Sequence, residues 1–441
     1  MIWELLRILV SMGGPIFFKR YKVKNAHYFR TKGPVVMAMN HPNAFMDPVM
    51  FALMAFPPKF YYLARGDAFK GPVMKYFLNS LKIAPIFRIQ DGGKEGLKKN
   101  EETYQHVNKL LKNNKKLMVF AEGLCVQEKR LRPLKKGVAR MVFGAMEEIN
   151  NPDFIVVPIG INYEHPSKFR GTIFFNVGEP IRVADYMDRY KENPAKTYNT
   201  FLADLYPRMK ELIVHINNPE NDKMVTEVEE LLKRDWIKQQ GLNYRDVEDD
   251  HKVLGQIVTM VNTTEEKNND LLIEFREKSK NYFNELKKLN IRDWLLNPNN
   301  SKRVNSVNLI FRMIILILFF PIYLRGLLGN YIPYKLSEKA GKKIAKNPEF
   351  LASFTYGTGL FIFLFYYIVQ FFIAYALAPH IGWPLLVIMI SFITGLFGLA
   401  YHTYKQKTLG LLRTLKNKSQ IEKLKVQRSE LIQLLAGFNK N

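Results

Sequence analysis

An apolar run, Val35-Val36-Met37-Ala38-Met39, ends in Asn40-His41-Pro42-Asn43-Ala44-Phe45-Met46-Asp47-Pro48. A histidine directly after a buried strand, with an aspartate six residues on, suits a general base and its orienting carboxylate. The imidazole takes a proton and the carboxylate fixes its tautomer. No serine nucleophile is required where the substrate supplies the attacking hydroxyl. Taken alone, the pair equally suits a structural cap. A second strand end, Phe120-Ala121-Glu122-Gly123-Leu124-Cys125, leads into Lys129-Arg130-Leu131-Arg132-Pro133-Leu134-Lys135-Lys136-Gly137. Glycine permits close backbone approach and the cations suit a phosphate, a solvated basic loop being the plainer alternative. Arg88 is a further cation at a strand end, and Val157-Pro158-Ile159-Gly160 lies in a later strand.

The elements that must position these residues follow from pattern. Strands are predicted at 35–39, 60–63, 83–87, 117–120, 155–161 and 173–177, with helices near 48–56, 71–80, 94–113 and 135–150. That alternation predicts an α/β domain with a largely parallel sheet, whose sites lie at the carboxyl ends of strands. Residues 183–295 change character, to charged, Leu-spaced helices near 195–216, 222–240, 245–261 and 265–289.

Composition narrows the partners. The chain has 441 residues and a formal charge of +25, which excludes an acidic solvating protein. It leaves nucleic acid, an anionic membrane surface or phosphorylated substrates. The positive charge also surrounds apolar segments, which speaks against nucleic acid. The single cysteine, Cys125, excludes a disulfide framework and a multi-cysteine metal site. His165, His215 and His251 lack metal-ligand spacing, and no dinucleotide or Walker-type glycine loop is present.

The apolar segments predict an integral membrane protein. Ala352–Ala378 and Ile381–Ala400 are uncharged and each long enough to span, joined by Pro379-His380. Met313–Leu324, bounded by Arg312 and Arg325 and interrupted by Pro321, is short for a span and is expected to dip in and return. Lys335–Lys346 carries five Lys and one Glu, and Thr403–Asn441 nine Lys or Arg and two Glu. The positive-inside bias places both, with the catalytic domain, on the cytoplasmic face. Ile2, Leu5, Leu6, Leu9 and Val10 suit an interfacial helix stopped by Gly13-Gly14-Pro15. The expected organisation is an interfacial helix at 1–24, a catalytic domain at 25–185, and a helical extension at 186–300. A membrane region at 301–404 follows, re-entrant over 309–332 with spans at 352–378 and 381–402, and then a basic helical tail at 405–441.

Four blocks, in order, resemble the phospholipid/glycerol acyltransferase family: Asn40-His41…Asp47, Ile86-Phe87-Arg88, Phe120-Ala121-Glu122-Gly123 and Val157-Pro158-Ile159-Gly160. A closer likeness is to the fungal-type glycerol-3-phosphate acyltransferases. It rests on His41 to Pro48, Leu131 to Ala139, Pro158 to Tyr163, and Phe169-Arg170. The resemblance implies a mixed sheet flanked by helices, a helical region, and a C-terminal transmembrane hairpin. It implies that His41, oriented by Asp47, deprotonates a glycerol hydroxyl, which attacks the thioester of acyl-CoA or acyl-carrier protein. Backbone N–H groups would stabilise the oxyanion. Asn40, Arg88, Glu122, Gly123 and Lys135 would bind the phosphorylated glycerol acceptor. Glu122 would take a glycerol hydroxyl or a cation, since like charges repel. No cofactor or metal is implied beyond the acyl-bearing co-substrate, and the remaining partner is the lipid bilayer. The acceptor is glycerol 3-phosphate or 1-acyl-glycerol 3-phosphate, the fungal-type likeness favouring the first. An unrelated lyso-lipid acceptor, or a catalytically silent scaffold retaining the fold, is the alternative. Three departures stand out. Asp47 lies one residue further from His41 than is usual in the family. Ala121 replaces a proline. Cys125 stands where many members have Ser or Thr, as an inert packed thiol or a reactive one.

Overall fold

The computed structural model describes residues 2–438 except 56–58, Arg88 and Val304. It leaves out the side chains of 2–6, Val73, Phe77, 89–99 and 301–303. The chain forms two compact units. One is Met1–His215 with Ile344–Tyr356, and the other is Ile216–Lys343 with Gly357–Asn441.

The first unit runs α1 (Ile2–Phe17), β1 (Phe18–Lys24), β2 (Val35–Met39), α2 (Met46–Met54), β3 (Phe60–Arg65), α3 (Pro72–Ser80), β4 (Ile83–Ile86), α4 (Ile89–Lys112), β5 (Lys116–Phe120), α5 (Lys136–Ile149), β6 (Ile155–Tyr163), β7 (Gly171–Val177), β8 (Ile181–Arg182), α6 (Met187–Glu192) and α7 (Pro194–Glu211). The eight strands form one sheet in the order β1-β7-β6-β2-β5-β3-β4, with β8 beside β6. Among the described residues, only β6 with β7 and β6 with β8 pair antiparallel, so the sheet is mixed, as expected. The central strands β2 and β6 carry near-continuous apolar side chains because both faces are covered. Val107, Leu111, Phe143, Phe201, Leu205 and Met209 pack one face. Phe29, Phe51, Phe60 and Phe175 form a ring cluster on the other side, with rings 5.1–5.9 Å apart.

Three expectations change here. The helix α1 continues through Gly13-Gly14-Pro15 to Phe17. Beyond it, Phe18–Lys24 is a strand, parallel to β7, where an interfacial helix was expected. Four cations in seven residues hid this edge strand from a search for apolar runs. The catalytic unit also extends past residue 185, because α7 buries Phe201, Leu205 and Met209 in the same core.

The second unit contains α8 (Asp222–Gln239), α9 (Val247–Lys267), α10 (Asn269–Leu289), α11 (Ser306–Ile344), part of α12 (Pro348–Leu377), α13 (Gly382–Lys416) and α14 (Lys418–Phe438). Asp246 caps α9 and Asn268 caps α10 by accepting N–H bonds from their first turns. The helices α11, α12 and α13 are each long and apolar enough to cross a membrane. The expected break at Pro321 is absent: α11 is one helix of 39 residues, with Pro321 and Pro333 inside it. Proline removes one ladder hydrogen bond, and the apolar residues beyond Arg325 let the helix run on. Nor does Arg325 turn back to the layer of Arg312. Its Nη2 donates to Ser391 Oγ at 3.0 Å, while the Arg312 guanidinium covers the Tyr404 ring.

Contacts step oppositely along α11 and both of its neighbours. Ser337 lies against Gly359 and Asn330 bonds Tyr367, whereas Asn330 also bonds Ser391 and Leu316 accepts from Tyr401. A straight up-down-up bundle would run α11 parallel to α13. Here the part of α11 from 330 to 337 runs antiparallel to α12, and the part from 316 to 330 runs antiparallel to α13.

Candidate active site

His41 leaves the carboxyl end of β2, and Asp47 sits in the first turn of α2. A helix N-terminus favours a carboxylate there. His41 Nδ1 lies 2.8 Å from Asp47 Oδ2. Asp47 is fully buried, and Oδ2 also accepts the Asn43 N–H at 2.9 Å. An ionised Asp47 accepts a proton-bearing Nδ1, which leaves Nε2 as the free base. The imidazole stacks on Phe120, with centroids 3.7 Å apart and planes 11° from parallel. The extra residue between His41 and Asp47 therefore does not separate them.

That extra residue is absorbed at Ala44, whose φ of +35° is unusual for a residue with a Cβ. Its N–H donates to Cys125 Sγ at 3.0 Å. Burial, then the Asp47 charge, pushes the Cys125 thiol far up, so it stays protonated and unreactive. The start of α12 belongs to this same unit. Ser353 Oγ accepts from the Met46 N–H at 3.2 Å, Phe350 meets Phe45 edge-on at 6.0 Å, and the Tyr356 hydroxyl donates to the Val10 carbonyl.

The other expected residues divide. Gly123 adopts φ +65°, and a Cβ there would lie 3.1 Å from Lys135 Cγ, so the Lys135 stem crosses over the turn. Lys135 is exposed, and its backbone N–H donates to Ala121 O at 2.8 Å. Glu122 is buried, with its two oxygens accepting from the His41 N–H at 3.0 Å and the Arg132 N–H at 2.7 Å. Burial raises its pKa, and those backbone bonds pull against the rise. It clamps the His41 loop to the basic loop. The Asn40 side chain is engaged by β6. Its amide donates to Ile161 O at 3.0 Å and accepts the Ile161 N–H at 2.7 Å, locking β2 to β6. Arg88 lies outside the described residues. In the basic run, Glu128 holds Arg132 at 2.7 Å and Arg130 at 3.7 Å. His215 Nδ1 accepts the Leu131 N–H, and burial lowers its pKa to about 4, keeping it a neutral acceptor.

Sequence reasoning gave no role to Tyr163, although it lay in a quoted block. Its hydroxyl donates to Asp47 Oδ1 at 2.8 Å. The only signal was position: in a strand, side chains alternate, so Tyr163 shares the face of Ile161 and opposes that of Asn162. Among the described residues, no three His, Cys, Asp or Glu side chains are placed to hold a metal ion.

Part of the chain is similar to known proteins. The Acyltransferase family model matches residues 20–162. Glycerol-3-phosphate O-acyltransferase 2 of Saccharomyces cerevisiae is 36% identical over 107 residues, which is 24% of this chain and 14% of the yeast protein. Glycerol-3-phosphate O-acyltransferase 1 of the same yeast is 35% identical over 91 residues, 21% of this chain and 12% of its own. The likeness thus spans about one seventh of those yeast proteins' lengths. The 1-acyl-sn-glycerophosphate acyltransferase PlsC of Thermotoga maritima aligns over 48% of this chain and 79% of its own, at 13% identity and a TM-score of 0.32, too low to carry weight. The His41–Asp47 region lies within the residues that match the Acyltransferase family model.

Proposed function

We propose that this protein transfers a fatty acyl group from acyl-CoA or acyl-carrier protein to a hydroxyl of glycerol 3-phosphate or 1-acyl-glycerol 3-phosphate. The observation that carries the reading is the 2.8 Å His41–Asp47 bond at a strand end, beside an exposed lysine over a glycine turn. His41 Nε2 removes the acceptor hydroxyl proton as oxygen attacks the thioester carbonyl. The oxyanion collapses, the ester C–O bond stands, the C–S bond breaks, and the imidazolium returns its proton to the departing thiolate. Asp47 holds the ring and stabilises its charge. Lys135, together with Arg88, takes the acceptor's phosphate. Glu122 serves by holding the loops rather than by meeting that dianion.

Lys135→Ala is expected to raise the acceptor KM by about one to two decades, the worth of a charged hydrogen bond, and to leave the donor KM unchanged. A raised donor KM with a normal acceptor KM would move Lys135 to the thioester carrier's site.

The membrane reading extends to orientation. The catalytic unit and the basic segments face the cytoplasm, with α12 and α13 crossing and α11 entering and leaving on one side. The opposed contact steps along α11 support this. Single cysteines placed by Lys288→Cys, Lys346→Cys and Ser419→Cys in a Cys125→Ser background should all escape an impermeant thiol reagent on intact cells. Labelling at 346 or 419 without 288 would mean that α11 crosses.

A further inference from the structure

We propose that Tyr163 is a positioning residue for acyl transfer: its hydroxyl holds one oxygen of Asp47 so that the other stays on His41. The inference rests on the acyl-transfer reading above. Asp47 Oδ2 is shared by His41 Nδ1 and the Asn43 N–H, while Oδ1 bonds the Tyr163 hydroxyl at 2.8 Å. A carboxylate turns readily about its last torsion, which is broad and roughly two-fold. With Oδ1 released, the plane of Oδ2 relative to the imidazole is no longer set from both ends.

The surrounding loop does not supply that rigidity itself. It carries one residue more than the family's usual spacing and a left-handed Ala44, held from outside by Cys125 Sγ. Tyr163 comes instead from β6, a strand flanked by β2 on one side and β7 on the other. Its register is fixed opposite Ile173, and its ring packs 5.9 Å from that of Phe18. Asn40, the residue before His41, is bonded both ways to Ile161 on the same strand. The strand that fixes the base's neighbour therefore also fixes the base's partner. Burial and the Asp47 charge keep the phenol protonated well beyond its usual range, so it remains a donor. Gly160, three residues earlier, is required for a different reason: a Cβ there would lie 2.3 Å from Leu212 O. Asn162 points the other way, to Leu212 O and the Val214 N–H. Of these residues, Tyr163 alone reaches the dyad.

The test is a double-mutant cycle on the full-length protein in lipid nanodiscs, with His41→Ala as the blank. Tyr163→Phe keeps the ring and removes the bond. It should lower kcat by about tenfold to a hundredfold, the range of one charged hydrogen bond, with both KM values unchanged. In an Asp47→Asn background the same change should cost little, because Tyr163 acts through the carboxylate. A core-packing role would cost the same in both backgrounds. A second readout needs no turnover. Carbethoxylation of His41 by diethyl pyrocarbonate, followed on its peptide by mass, should slow several-fold in Tyr163→Phe and not further in the double variant. The Asp47→Asn background also guards against misfolding, since no buried carboxylate is then left unpaired. Wild-type kcat and carbethoxylation rate in Tyr163→Phe would overturn the proposal, as would equal losses in both backgrounds. Should the wild type acylate no glycerol phosphate, the acyl-transfer reading falls, while the carbethoxylation cycle still decides whether Tyr163 sets His41.

Discussion

His41→Ala should yield a folded, membrane-associated protein whose acyl transfer is lower by about 10²–10⁴-fold, the usual contribution of a positioned general base. The side chain is 18% exposed, so water can enter the space it leaves, and Asp47 keeps its bonds from the Asn43 N–H and the Tyr163 hydroxyl. Folding should be spared for a second reason. The loops are joined by the His41 backbone N–H to Glu122 and by the Val126 N–H to the His41 carbonyl, and the alanine variant keeps both. Acceptor and donor KM should change far less than kcat, because the imidazole acts on the proton in flight rather than on ground-state binding. Thermal melting before and after, with initial rates at saturating substrates, checks both halves. A near-normal rate would remove His41 as the base.

Arg428→Met should be the most damaging single change in the second unit. Asp293 is buried there against Arg428, with Nε to Oδ1 at 2.8 Å and Nη2 to Oδ2 at 3.3 Å. The Tyr282 hydroxyl donates to the same carboxylate at 2.7 Å, and Arg428 also donates to Leu231 O. Burial raises the Asp293 pKa while Arg428 opposes it. Removing one member of such a pair strands the other charge, at about 3–5 kcal/mol. The loss should appear as a fall in melting temperature on the order of 10 °C. Asp293→Asn combined with Arg428→Met should recover most of it, since no charge is then left unpaired. Equal melting temperatures for Arg428→Met and wild type would show that the pair carries no such weight.

The dyad and the central strands were legible because their signals are local. Met37, Ala38 and Met39 are apolar on both faces, and His41 and Asp47 lie six residues apart in one loop. What escaped the sequence depends on distant partners. Tyr163 meets Asp47 across 116 residues, and an alternating strand gives no hint of which loop its side chain will face. Asn40 was expected at the acceptor from the family resemblance, yet successive residues leaving a strand point apart, and its amide turned to β6. Glu122 was expected to meet substrate, and only the fold shows two backbone N–H groups already aimed at it. The edge strand β1 was hidden by charge, because only one of its faces needs apolar residues. In α11, Pro321 and Arg325 suggested a break, yet the helical ladder runs through both, and only the opposed contact steps to α12 and α13 bear on a return.

The most direct measurement gives the purified protein, in nanodiscs, a labelled acyl thioester and either glycerol 3-phosphate or 1-acyl-glycerol 3-phosphate. A labelled ester should form on one of these acceptors and fall to background in His41→Ala. A folded wild-type protein that acylates neither, or an ester that forms equally well without His41, would contradict the assignment of acyl transfer to this dyad.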